Sequence, residues 1–169
     1  GLKYDVDYID GYFYILNNEE ATNFKISRAK EEAKDQWEDF VAERPGHYIE
    51  YFSIKNGHLI TEVKNNEKAL SQVEIQNLST NKMSELSFDD EAYLVQYMGS
   101  REYDSETFQY AYESPIKPRT TYEYTLATGE TKVIKEGKIV MLGVGAIRRI
   151  ELQKVLNEIK LDELTQNII

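Results

Sequence analysis

The chain has 169 residues, enough for one domain with a buried core. Its 20 basic and 30 acidic residues give a formal charge of −10, a sign that repels nucleic-acid phosphates, so we expect no nucleic-acid partner. The absence of cysteine excludes disulfides, thiolate metal ligands and a cysteine nucleophile. No apolar run approaches the roughly 20 residues of a membrane helix, and the N-terminus lacks the apolar core of a signal peptide. We therefore expect a cytoplasmic protein with no membrane contact.

The first part of the chain predicts a hairpin. Residues 11–16 are apolar and aromatic, residues 17–20 have turn composition, and residues 23–28 alternate polar and apolar side chains. Residues 29–43 are rich in charge, and residues 29–35 predict a short helical turn or a solvated loop. Pro45-Gly46 ends this segment.

A run of short strands follows. Asn56-Gly57 between the apolar runs 48–54 and 58–63 is a strong hairpin signal. Further strands are predicted at residues 73–78, 83–88, 92–98, 107–113, 120–126 and 130–134. About nine short strands separated by turns predict a mainly β fold, either a sandwich, a barrel or a propeller.

The pattern changes after Gly137, which divides the chain into residues 1–137 and 138–169. Apolar side chains at Leu152, Val155, Leu156 and Ile159 have helical spacing and predict a C-terminal α-helical tail. Gly143 and Gly145 precede this stretch, but Arg148 stands where a dinucleotide-binding turn needs a third glycine, and no second strand follows. We expect no bound cofactor.

No catalytic or metal-binding set is predicted. Asp5, Asp7 and Asp10 do not match a calcium loop, whose fifth and sixth positions are Ile9 and Asp10 here, and are interpreted as solvated carboxylates at a strand edge. His47 and His58 are two separated histidines beside strands, too few for a metal site. Ser100 follows Gly99 but lacks the second glycine of a nucleophile elbow.

Four acidic clusters are interpreted as a solvated rim, because nothing in their polar settings would desolvate one carboxylate and raise its pKa. They are Glu31-Glu32-Asp35, Glu38-Asp39, Asp89-Asp90-Glu91 and Glu102-Asp104-Glu106. Asn77-Leu78-Ser79 matches a glycosylation sequon, but no secretory signal gives it a meaning.

Several motifs in series resemble the later part of the β-propeller of the oligopeptidase B (protease II) family, which belongs to the prolyl oligopeptidase clan of serine peptidases. The resemblance covers most of residues 4–137 and is most specific at residues 88–136. Its motifs are Gly11-Tyr12-Phe13-Tyr14-Ile15, Asn23-Phe24-Lys25-Ile26, Phe88-Asp89-Asp90-Glu91 with Tyr93, Tyr112 with Ser114, Pro118 and Tyr122, Thr128-Gly129-Glu130, and Lys135-Glu136.

The resemblance implies a cytoplasmic endopeptidase that cuts short peptides after lysine or arginine, with a seven-bladed propeller over an α/β-hydrolase domain. The serine, aspartate and histidine of the triad belong to that hydrolase domain, so no catalytic residue is carried over to this chain. The implied fold is a partial β-propeller of about three antiparallel blade-like sheets. Residues 140–169 match nothing in the family.

Two functions remain open. The chain is either a non-catalytic propeller piece, inactive alone, with peptides or the missing hydrolase part as partners, or an interaction module that binds through exposed strand edges. In either case the end blades of an incomplete propeller need a cover. We expect the tail helix to pack on an open blade face, in its own chain or in a second copy, and the protein to be a homodimer.

Overall fold

A computed structural model describes residues 1–100 and 102–137, which form twelve β-strands. The strands are β1 (Tyr4–Ile9), β2 (Tyr12–Asn17), β3 (Lys25–Lys30), β4 (Glu38–Val41), β5 (His47–Lys55), β6 (His58–Asn65), β7 (Leu70–Asn77), β8 (Met83–Glu85), β9 (Leu94–Gly99), β10 (Thr107–Glu113), β11 (Thr120–Thr125) and β12 (Thr131–Lys135). They build three four-stranded antiparallel sheets, β1 to β4, β5 to β8 and β9 to β12, each in sequence order. The mainly β prediction and its three blade-like sheets are confirmed.

Tight turns explain the first hairpin of the first and second sheets. Asn56 and Gly57 have φ values of 42° and 69°, as a two-residue hairpin turn with left-handed central residues requires. Asp10 and Gly11 repeat this geometry with φ values of 51° and 80°. The hairpin predicted at Asn56-Gly57 is confirmed, and the Asp-Gly pair is an equally strong signal that marks β1 as a strand.

Two apolar cores lie between the three sheets. The first joins side chains of the first sheet, such as Ile9 and Leu16, to side chains of the second, such as Phe52 and Leu59. The second joins Ile60 and Val73 of the second sheet to aromatic residues of the third. Because neighbouring residues of a strand point to opposite faces, Leu59 and Ile60 enter different cores. The second sheet is therefore the middle layer, buried on both faces.

The structure corrects the strand prediction at two places. β1 and β4 are strands that the hydrophobic pattern does not mark, and β4 includes Glu38 and Asp39. The charges of β4 are compatible with a strand because it lies at a sheet edge, where Glu38 pairs with Arg28 and Asp39 with Lys25 on β3. Within residues 29–35, only Glu31–Ala33 form a 3₁₀ turn. The predicted helical tail lies outside the described residues.

Aromatic side chains at the centre of the second core stabilise the packing of the second sheet on the third. Phe108 is 0% exposed, and its ring centroid lies 5.4 Å from that of Tyr97 and 5.0 Å from that of Tyr124. We predict that Phe108→Ala lowers the free energy of unfolding by about 3–5 kcal/mol, because it leaves a cavity among these rings. Urea unfolding followed by circular dichroism measures the change. The control is Ile116→Ala, since Ile116 is 59% exposed and its loss costs about 0.5 kcal/mol or less; equal effects of the two substitutions would contradict the prediction.

Candidate functional site

Both histidines are held by the amide groups of their own hairpins. Nδ1 of His58 lies 2.8 Å from the carbonyl oxygen of Asn56, and Nε2 lies 3.1 Å from Nδ2 of Asn77. His47 repeats this arrangement with the carbonyl of Pro45 and the side chain of Asn65. Within residues 1–100 and 102–137, no hydrogen bond therefore joins a histidine to a serine, and no three metal-ligating side chains cluster together. Asn77, the asparagine of the sequon, contacts His58 through its Nδ2, and its Oδ1 accepts a hydrogen bond from the backbone amide of Ser79.

The interpretation of all four acidic clusters as a solvated rim is wrong for Asp90 and incomplete for β4. The Asp90 side chain is only 14% exposed, accepts a hydrogen bond from the Tyr112 hydroxyl, and lies 3.1 Å from Nζ of Lys117. Phe88 stacks on Tyr112, with the two ring centroids 4.2 Å apart. The hydrogen bond from Tyr112 lowers the pKa of Asp90, with Lys117 adding to the effect. Asp90 is therefore held in place by Tyr112 and Lys117.

The remaining acidic side chains agree with their interpretation as a solvated rim. Glu102, Asp104 and Glu106 are exposed, as are Glu31 and Asp35. Asp5 and Asp7 lie on the edge strand β1, whereas Asp10 lies in the turn that follows it. The rim interpretation therefore holds for the clusters outside Asp90 and β4.

Tyr103 connects the third sheet to the first hairpins of the other two. Its hydroxyl donates a hydrogen bond of 2.6 Å to Oδ2 of Asp10, and its carbonyl oxygen accepts one of 3.0 Å from the amide of Asn56. The Asp10 carboxylate raises the pKa of Tyr103 to about 12, since it stabilises the protonated phenol. Tyr103, which lies between β9 and β10, thus links the third sheet to the β1–β2 turn and to the β5–β6 turn. No sequence signal marks this contact between residues 93 positions apart.

The first sheet carries large apolar side chains on the face opposite the first core. We name this set, Tyr4, Val6, Tyr8 and Phe13, the outward face. On β1, Tyr4 is 67% exposed, Val6 46% and Tyr8 47%. The ring centroids of Tyr8 and Phe13 lie 5.0 Å apart. Exposed apolar rows of this kind are typical of surfaces that contact a partner.

The third sheet also exposes apolar side chains along its first strand, β9. Leu94 and Met98 on β9 are 46% and 52% exposed, while the intervening residues Val95 and Tyr97 are buried in the second core. Both end sheets of the stack therefore present apolar surface.

Comparison with known proteins decides what this arrangement is. A family model described as the N-terminal β-propeller domain of prolyl oligopeptidase matches residues 1–137. The chain belongs to the prolyl oligopeptidase family. The resemblance of the sequence to this family is thereby confirmed. The three sheets of the chain are blades of a propeller.

The curated relatives are peptidases several times longer. Dipeptidyl aminopeptidase BI of Pseudoxanthomonas mexicana is 28% identical over 139 residues, and Protease 2 of Moraxella lacunata is 26% identical over 136 residues. Each match covers 80% of this chain and 19% of the relative. The chain thus spans about a fifth of the relatives that it matches.

Solved structures show the same propeller architecture. Oligopeptidase B from Trypanosoma brucei, with covalently bound antipain, superposes with a TM-score of 0.74 at 21% identity. The match covers 82% of this chain and 21% of that one. Oligopeptidase B from Leishmania major gives a TM-score of 0.73 at 19% identity, with the same coverage of each chain. Among the described residues, no helix has the length and apolar character needed to cross a bilayer.

The Tyr103 contact predicts a loss of stability in alkali. The folded protein holds the Tyr103 phenol protonated up to a pKa of about 12, whereas an unfolded tyrosine titrates near about 10. The stabilising contribution is therefore complete below about pH 10 and is lost as the pH rises through about 12. We predict that Tyr103→Phe is less stable than the wild type at about pH 9 and that this difference shrinks by about pH 12.

Chemical unfolding at several pH values measures this difference. Other tyrosines with raised pKa, such as Tyr110, titrate in both proteins and cancel in the comparison. Tyr4→Phe is the matched control, because Tyr4 is 67% exposed. A Tyr103→Phe difference that stays constant with pH would overturn the prediction.

Proposed function

We propose that this chain supplies a non-catalytic three-blade arc of the propeller of an oligopeptidase B-like serine peptidase, which cuts peptides after lysine or arginine. The observation that carries the proposal is the apolar surface on both end sheets of a stack whose middle sheet is buried on both faces. In a closed propeller every blade packs between two neighbours, and these two surfaces are where further blades would pack. The relative named Protease 2 and the oligopeptidase B structures support this subtype.

The arc has no part in bond cleavage. Acyl transfer by a serine needs an oriented base and an oxyanion hole, and the two histidines of this chain are held by amide groups instead. Hydrolysis therefore depends on a hydrolase domain, the partner that the arc requires. The peptide substrates of that enzyme are basic, and the net charge of −10 favours their approach. A cytoplasmic location fits a chain without cysteine.

A second candidate function is self-association. The outward face of one copy would pack on an apolar surface of another and give a homodimer that hides both. The specific observation behind it is the exposure of Tyr4, Val6 and Tyr8 on β1, a strand at the edge of its sheet. Both candidate functions use the same face, so they differ in the partner and not in the surface.

The proposed function predicts an outcome with two parts. The chain alone should not hydrolyse a fluorogenic peptide with arginine before the scissile bond. Residues 1–137, exchanged for the matching segment of the Moraxella lacunata Protease 2, should give a folded enzyme that does. Turnover is measured with purified proteins, and a serine-directed fluorophosphonate should label and inactivate only the chimera. Labelling of the chain alone, or a folded chimera that prefers non-basic substrates, would contradict the proposal.

The outward face predicts the effect of a charge. Val6→Glu places a carboxylate among Tyr4, Tyr8 and Phe13, where packing of a second surface would bury it at a cost of several kcal/mol. We predict that it prevents dimer formation by the chain in sedimentation equilibrium and lowers the activity of the chimera. Ile116→Glu is the control, because Ile116 is also exposed but lies between β10 and β11. A wild-type dimer that Val6→Glu leaves intact would exclude this face as the contact.

A further inference from the structure

A groove lies between the second and third sheets, bordered by β5, β6 and β9. Its volume is about 400 Å³, and we name it the Tyr51 groove. The residues that line it are Glu50, Tyr51, Glu62, Gln96, Tyr97 and Met98, with Gly99 at its end. It is separate from the outward face and from the Asp90 contact.

The aromatic wall of the groove is a pair of stacked tyrosines. The ring centroids of Tyr51 and Tyr97 lie 5.6 Å apart with an interplanar angle of 28°. Tyr51 is 43% exposed, so one side of this pair is open to a ligand. An exposed tyrosine face attracts a cation through the ring quadrupole and stacks well on a planar group.

Among the described residues, the carboxylate of Glu62 makes no salt bridge, although the charge of Lys64 acts on it and lowers its pKa. Its Oε2 accepts one hydrogen bond of 3.0 Å, from the backbone amide of Tyr97. Glu50, in contrast, is paired with Lys64 at 2.6 Å. Burial raises the pKa of Glu62, and the charge of Glu50 adds to this rise. A second cation placed beside Glu62 would relieve both effects.

The ring of Tyr97 forms the inner wall of the groove. Tyr97 is only 7% exposed, and its hydroxyl is buried without a hydrogen-bond partner of ordinary geometry among the described residues. A ligand in the groove therefore meets the open ring of Tyr51 and not this hydroxyl.

Carboxylates of the first sheet add to the negative electrostatic field at the groove. Asp7 and Asp5 on β1 act on Tyr51 strongly enough to raise the pKa of its phenol, after the larger effect of burial. Carboxylates on three strands, β1, β5 and β6, therefore give the groove a negative field, which Lys64 at Glu50 and Arg119 at Gln96 offset in part.

We infer that the Tyr51 groove binds the guanidinium group of an arginine side chain in a peptide. The planar guanidinium stacks on the exposed face of Tyr51 and pairs with Glu62, so one group answers both features. Lysine fits less well, because its ammonium group is compact and cannot form the same flat, forked contact. The identification of the ligand as a peptide rests on the proposed function, and the groove would be a subsite for a basic residue that this chain itself supplies.

The test uses the full chain, labelled with ¹⁵N, and titrates it with N-acetyl-arginine amide. The Tyr97 amide signal reports on the groove, because this amide donates to Glu62. N-acetyl-citrulline amide is the matched ligand, equal in shape but without the charge. We expect arginine to shift the Tyr97 signal with an affinity about tenfold or more above that of citrulline.

Two pairs of variants assign the binding to named groups. Glu62→Gln keeps the shape and should weaken arginine binding about tenfold, whereas Glu67→Gln, in the exposed turn after β6, should not change it. Tyr51→Leu should weaken binding several-fold and Tyr51→Phe should preserve it, since the ring face and not the hydroxyl makes the contact. The Tyr51 pair keeps the test decisive if Glu62→Gln does not fold.

Three results would overturn the inference. They are equal affinities for arginine and citrulline, unchanged arginine binding in Glu62→Gln, and no shift of Tyr97 at about 10 mM ligand. Binding is measured without hydrolysis, so an inactive chimera leaves this result readable. Conversely, a groove that does not bind arginine leaves the assignment as a propeller arc intact.

Discussion

Burial of the second sheet on both faces is the constraint on which the rest of the structure depends. A sheet that is covered on one side alternates apolar and polar residues, but a middle layer needs apolar residues on both sides. Consecutive residues such as Leu59 and Ile60 meet this need by entering different cores. The first and third sheets are therefore held by contacts to the same layer, and the other face of each is turned away from it. The outward face is the direct result of this layering.

Local patterns predict those parts of the fold that depend on few residues. Asn56-Gly57 determines a hairpin because both residues adopt left-handed φ angles, and the flanking strands follow from alternation. β4 is not predictable in this way, because Glu38 and Asp39 resemble a loop until their partners on β3 are known. Family resemblance supplied the propeller, which strand spacing alone leaves undecided between three all-β architectures.

The functional features depend on contacts between distant residues, and this limits what the sequence can reveal. Asp90 looks like one more exposed acid, yet Tyr112 and Lys117 enclose it after β10 has folded against the loop that follows β8. The Tyr51 groove similarly combines Glu62 with Tyr97, 35 positions apart. Composition likewise does not reveal that the Tyr97 hydroxyl is buried without a hydrogen-bond partner of ordinary geometry among the described residues.

The strictly sequential order of the strands has a consequence for how the protein forms during synthesis. Each sheet pairs only strands that follow one another along the chain, so a sheet is complete as soon as its fourth strand has left the ribosome. The first two sheets can bury their shared core while the third is still being translated. Tyr103 then joins them by a contact with Asp10 that spans 93 positions, which makes this hydrogen bond a late event. A chain built in this way accumulates its layers in order.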